Sequence, residues 1–115
     1  MPRLILIASL LALAACNGHK GPADVDEGKA LIATHCIACH TIPGVRGATG
    51  TVGPPLAGLA KRQVIAGRYQ NNRANLERWI MHPQAMLPGT AMPEMGLTQA
   101  QAHAIADYLY TLDGK

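Results

Sequence analysis

The chain has 115 residues, of which 49 % are hydrophobic, with no Phe, three Tyr, one Trp and a formal net charge of +3. That length allows one domain, and the composition excludes a disordered polar chain. So low a charge with so few aromatics excludes a nucleic-acid binder, and a core of Ala, Leu, Ile and Met alone is thin for a domain that needs a staple.

Met1–Arg3 makes a short positive start, and Leu4–Ala15 is an unbroken run of small and apolar residues. The run is too short to span a bilayer and has the length of the apolar part of an export signal. It ends in Leu13-Ala14-Ala15-Cys16, which resembles the lipobox of bacterial lipoproteins. The resemblance implies a signal peptide over residues 1–15, cleavage before Cys16, lipid on its sulfur and an acyl group on its new amine. Several acyl chains anchor far more firmly than one. The alternative is an ordinary secretory signal cut near Ala14 or Ala15, which leaves Cys16 as an odd thiol in an oxidising compartment. The lipid-anchored form places the protein on the periplasmic side of a bacterial membrane. Residues 16–23 are then the lipidated cysteine and a polar tether reaching on the order of 15 Å, and residues 24–115 are the domain.

A first helix is expected from Asp24, with Glu27 three positions on in a box-like arrangement. Val25, Gly28, Leu31, Ile32 and His35 follow helical spacing. Thr41–Pro55 is rich in Gly and Pro and reads as loop, and Pro55–Arg62 as a short helix. Asn75–Met81 fits a further helix, capped by Asn75 and stopped by His82-Pro83. Gln84–Gly96 reads as loop. The last helix is capped by Thr98 with Gln101 completing a capping box, carries Ile105, Tyr108, Leu109 and Leu112 as one stripe, and ends at Gly114. Nothing shows strand-length alternation, so the fold class expected is all-α with long loops.

Between the first helix and the first loop stands His35-Cys-Ile-Ala-Cys-His40. Cys36-x-x-Cys39-His40 is the attachment signature of c-type haem. Two thiols three positions apart on one turn reach the two vinyl groups along one porphyrin edge, and the adjacent His40 is turned under the iron. A zinc site needs two more ligands at compatible spacing, and a redox disulfide of the thioredoxin kind needs a βαβ setting. One covalent haem c also supplies apolar area comparable to several aromatic side chains, so folding is expected to be coupled to it.

The opposite axial position has six candidates: Met81, Met86, Met92, Met95, His82 and His103. Most methionines of this kind are filler. Met92 is favoured because Leu87-Pro-Gly-Thr-Ala-Met92-Pro93 is a loop stiffened by Pro and Gly, able to present a thioether across the ring.

Three ordered motifs, CIACH (36–40), GPPLAGLAKR (53–62) and PGTAM (88–92), together resemble the class I cytochromes c over most of residues 24–113. TVGPPL and NLERWIMHPQAMLPGTAMP are most similar to the cytochrome c domain fused to subunit II of some haem–copper oxidases. The resemblance implies the class I cytochrome c fold, three to four helices with long loops around one haem. It implies His40 and Met92 as the iron ligands and the Pro54 carbonyl as the acceptor of the His40 Nδ1–H. It implies Arg62 on a haem propionate, with Arg68 or Arg73 a second possibility, and Leu56 and Trp79 packed on the haem. It also implies that Gly28 meets Tyr108 where the first and last helices cross.

His–Met ligation leaves iron no open site and favours the ferrous state, and no pair of carboxylates, Ser/His set or phosphate loop offers a second chemistry. The expected function is one-electron transfer by a monomeric mono-haem carrier in a bacterial respiratory chain, not enzyme catalysis. Its expected partners are membrane redox complexes: a cytochrome bc-type complex and a terminal haem–copper oxidase. Arg46, Lys61, Arg62, Arg68, Arg73 and Arg78 would steer it towards an acidic face. Two other readings stand beside this one: a ligand-binding enzyme or sensor from which Met92 dissociates, and a relay bound permanently inside a larger complex.

Overall fold

Helix α1, Pro22–His35, begins two residues before the expected Asp24. The computed structural model describes residues 22–115, so the expected signal peptide, Cys16 and most of the tether lie outside the described residues. A proline suits the first helical turn, where its missing N–H has no partner to lose. Asp24 therefore sits in the first turn instead of capping it, with its charge near the positive end of the helix dipole.

A 3₁₀ turn, Leu59–Lys61, occupies part of the stretch expected as helix over Pro55–Arg62. It is followed by an antiparallel ribbon that the sequence pattern does not announce: β1, Val64–Ile65, paired with β2, Tyr69–Gln70. Each strand has only two residues, too few for alternation to be read. What closes the ribbon is a turn in which Arg68 N–H donates to Ile65 O at 3.1 Å. Its central residues, Ala66 and Gly67, both have positive φ, at 52° and 66°, as a type I′ hairpin turn requires.

Helix α2, Arg73–Met81, is capped by Asn72, whose side chain accepts from Asn75 N–H at 2.8 Å. The expected cap, Asn75, is thus the residue being capped, and its own amide donates to Gln70 O at 3.0 Å. His82-Pro83 stops α2 as expected. Pro83 then opens a short helix α3, Pro83–Met86, inside the stretch expected as loop. The proline that cannot continue one helix fits the first position of the next.

Helix α4, Gln99–Leu109, has the expected capping box, with Thr98 and Gln101 bonding each other's backbone. It ends at Leu109, so Leu112 joins the core from the tail, where its carbonyl accepts from Ala60 N–H at 3.0 Å.

α1 and α4 cross in close contact, and α2 packs against α4. Ile32, Leu76, Ile80, Ala102, Ile105 and Leu109 are buried where they meet, together with Ile42 and Leu59 from the loops. The crossing depends on Gly28. A Cβ there would lie 1.9 Å from the carbonyl oxygen of Ala104. The atoms nearest Gly28 are thus backbone of α4, at Ala104 and Ile105. The Tyr108 hydroxyl donates to Pro43 O at 2.6 Å and ties α4 to the loop after α1.

The expected all-α architecture with long loops holds over the described residues, with the small ribbon added. Among them no helix is long and apolar enough to cross a membrane.

Because the atom facing Gly28 is backbone, it cannot swing aside. Gly28→Ala should cost roughly 3 kcal/mol of stability, read as a lowered denaturant midpoint of the holoprotein. A change below about 1 kcal/mol would show that the two helices can separate without loss.

Candidate functional site

The five residues from Cys36 to His40 prolong α1 by one turn. Cys36 N–H donates to Ile32 O at 2.9 Å and His40 N–H to Cys36 O at 3.0 Å. The two cysteines stand three positions apart on this turn, half-buried and not joined to each other. Burial, with the neighbouring Cys39 second, pushes the Cys36 thiol up to about 11. At neutral pH its sulfur therefore keeps its hydrogen, and thioether formation adds both across a vinyl double bond.

A loop is laid against this turn. Gly53 N–H donates to Cys39 O at 2.7 Å and Leu56 N–H to Thr41 O at 2.9 Å. The Thr41 hydroxyl donates to Gly50 O at 3.0 Å. His40 Nδ1 lies 2.7 Å from Pro54 O, the contact the resemblance implies. A carbonyl can only accept, so Nδ1 carries the hydrogen and Nε2 keeps its lone pair for a metal. Two glycines permit this approach. A Cβ on Gly53 would lie 2.4 Å from the His40 ring, and one on Gly50 would lie 2.6 Å from the Cys39 backbone. The sequence alone assigns neither role, although Gly53 opens the GPPLAGLAKR motif.

In front of His40 lies a cavity of about 490 Å³. Cys36, Cys39 and His40 line it from the turn, Pro54, Leu56 and Arg62 from the loop, Leu76, Trp79 and Ile80 from α2, and Met92 and Met95 from the loop before α4. All eight residues expected to hold the cofactor line this one cavity. The two large apolar side chains left exposed among the described residues, Val52 at 70 % and Val64 at 47 %, also line it. Among the described residues no carboxylate does. An apolar slot with two thiols at one edge, an imidazole and thioethers facing it and a guanidinium beside it fits a haem with anionic propionates.

The six axial candidates now separate. Only Met92 and Met95 line the cavity. Met86 is buried elsewhere and Met81 packs against the core. His82 is exposed and lies 3.8 Å from Glu94. His103, isolated along the sequence, has its Nδ1 2.6 Å from the buried Glu77.

The three arginines separate as well. Arg62 donates to Pro55 O and to Ala57 O, so it also braces the loop that orients His40. Arg68 is exposed and does not line the cavity. Arg73 is engaged elsewhere, 2.7 Å from Asp107 and 3.3 Å from Glu77, with its guanidinium over the Tyr110 ring. Its partners lie between α2 and α4, which spacing along the chain does not reveal.

The cytochrome c family model matches residues 25–113. Cytochrome c oxidase subunit 2 of Alkalihalophilus pseudofirmus is 39 % identical over 79 residues, which cover 67 % of this chain and 22 % of that protein. Cytochrome c2 of Rhodopila globiformis is 37 % identical over 108 residues, covering 83 % of this chain and 99 % of that protein. Cytochrome c of Sesamum indicum is 32 % identical over 95 residues, covering 72 % of this chain and 84 % of that protein. The chain thus spans only about a fifth of the subunit 2 relative.

Each cysteine is expected to make its own bond to the cofactor. Cys36→Ala and Cys39→Ala should each keep covalently bound porphyrin through acid–acetone extraction, and the double variant should lose it. Retention in the double variant would contradict attachment at these sulfurs.

Proposed function

The chain belongs to the cytochrome c family and is a haem c electron carrier, and from that premise we propose that it serves a bacterial respiratory chain from a lipid anchor. In this reading it takes electrons from a cytochrome bc-type complex and passes them to a terminal haem–copper oxidase. The likeness to a cytochrome c oxidase subunit 2 supports the acceptor. The run Leu13-Ala14-Ala15-Cys16 at the end of an unbroken stretch of small and apolar residues supports the anchor at Cys16, on the periplasmic side of the membrane.

The haem, bonded through Cys36 and Cys39, supplies a reversible one-electron couple. His40 and Met92 would hold its iron in this reading, and the observation that carries it is the cavity they share. Pro54 O accepts the His40 Nδ1–H, which fixes the ring and strengthens Nε2 as a donor. Met92 offers a neutral sulfur, which favours the reduced state. Iron held by both side chains would offer oxygen and peroxide no site. Leu56 and Trp79 would keep water off the ring, and Arg62 would balance a propionate. Contact with partners is small and transient. The exposed Arg46, Lys61, Arg68 and Arg78 favour acidic docking faces. The carrier acts as a monomer.

Met92→Ala in the ferric holoprotein should abolish the sulfur–iron charge-transfer band in the near red and lower the potential by on the order of 0.1 V. An unchanged band would assign the ligand to Met95 instead.

Reduced holoprotein added to membranes containing a haem–copper oxidase should be reoxidised, and cyanide should stop it. Cys16→Ser should move the protein from the membrane to the soluble fraction without slowing its reoxidation by solubilised oxidase. A wild-type protein that the oxidase leaves reduced would remove the acceptor, and a Cys16→Ser protein still in the membrane would remove the anchor.

A further inference from the structure

We infer that Gln84 is the positioning residue for Met92, a side-chain clamp on the loop that presents its thioether; the inference rests on the reading of Met92 as an axial ligand. Gln84 stands on α3, outside that loop. Its Nε2 donates to Thr90 O at 2.7 Å and to Met92 O at 3.0 Å. Its Oε1 accepts from Gly89 N–H at 3.2 Å. One amide thus uses both its hydrogens and its oxygen on three residues of a single loop, which only Asn or Gln can do.

The loop depends on this contact. Its own structure is a turn in which Thr90 N–H donates to Leu87 O at 3.1 Å. Pro88 and Gly89, the latter with φ 84°, occupy the centre as in a type II turn. Met92 N–H reaches only the Thr90 hydroxyl, at 3.4 Å, within the loop. Beyond the bond to Leu87, the polar ties from residues 89–94 to the rest of the described chain end on Gln84 or His82. Two of the Gln84 ties are those of Nε2, one is that of Oε1, and the last runs from Gln84 N–H to Glu94 Oε1 at 3.1 Å. The His82 tie is the pair with Glu94 at 3.8 Å.

The base of the clamp is rigid. Pro83 and Met86, on either side of Gln84 in α3, are buried. The Tyr69 hydroxyl donates to Met86 O, which joins α3 to the ribbon. A neutral thioether is a weak ligand, so its hold depends on how rarely its loop opens. Opening the loop breaks the three side-chain bonds of Gln84 together, and without them the open state gains population.

The test is imidazole binding to the ferric holoprotein, since imidazole takes the axial position when the methionine leaves it. The wild type should show the near-red sulfur–iron band and bind imidazole weakly. Gln84→Ala should bind it roughly tenfold or more tightly, as expected for the loss of two or three hydrogen bonds, and its potential should fall. Gln84→Glu should behave like Gln84→Ala, because it keeps the acceptor for Gly89 but sets a second oxygen against the Thr90 and Met92 carbonyls. Gln84→Glu also carries the test alone if Gln84→Ala does not assemble. Gln101→Ala, which removes half of the α4 capping box, controls for general destabilisation and should leave imidazole affinity at the wild-type value. Imidazole affinity within twofold of wild type in the Gln84 variants, or an equal rise in Gln101→Ala, would overturn the clamp with Met92 ligation intact. A wild type that lacks the band would overturn the Met92 reading and the clamp with it.

Discussion

The contact between the His40 ring and the loop that passes behind it sets the rest of the site. An imidazole offered to a metal must have one nitrogen bare and its plane fixed. Pro54 O does both, by taking the Nδ1–H at 2.7 Å. The carbonyl can come so near only because position 53 has no side chain to strike the ring. Gly50 makes the same allowance against the Cys39 backbone. The loop thus lies flat on the cysteine turn, and Arg62 braces it from the far side through Pro55 O and Ala57 O. Ligand orientation here is a property of loop packing, and the loop is held by backbone bonds more than by its side chains.

The same geometry accounts for the chain's composition. A domain of this size without Phe has little with which to fill a centre. α1, α2 and α4 do bury a core of Ile, Leu and Ala, but one side of it is open: Leu59, Ile105 and Leu109 line the cavity together with Leu76, Trp79 and Ile80. The exposed Val52 and Val64 line the same cavity. An apolar macrocycle there would continue the core outward, and bonds to Cys36 and Cys39 would fix it to the turn that prolongs α1, which the core already holds. The protein core orients the cofactor's anchor, and the cofactor would shield the core's open face.

Much of this is legible in the sequence wherever the information is local. The capping box of α4 is two side chains bonding their own neighbours, and it stands where Thr98 and Gln101 put it. The three ordered motifs locate seven of the eight residues expected to hold the cofactor, the likeness of the stretch before the third motif adds Trp79, and each is found on the cavity. What the sequence hides depends on distant partners or on very short elements. Asn75 reads as the cap of its helix, yet its side chain is taken by Gln70 O and its N–H by Asn72, a partner the spacing does not reveal. The ribbon is too short for any periodicity and rests on the handedness of Ala66-Gly67. The resemblance places Gly28 at the crossing of the first and last helices, but that the atom nearest it is the Ala104 carbonyl is not visible along the chain.

The least legible feature is the polar junction behind the cavity wall. Glu77 is buried at 7 % exposure on α2, the helix that also carries Trp79. It accepts from Gln99 at 2.7 Å and faces His103 Nδ1 at 2.6 Å, both on α4, and it meets Arg73 at 3.3 Å. Arg73 in turn reaches Asp107 at 2.7 Å. A carboxylate so enclosed is tolerable only while these partners are present, because removing one leaves a buried charge uncompensated. Directional bonds of this kind have few satisfactory arrangements, unlike apolar contacts, which tolerate sliding. The junction therefore fixes the register of α2 on α4, and with it the distance at which Trp79 faces the cofactor slot. A histidine that looks isolated in the sequence belongs to the device that holds the wall of the site in place.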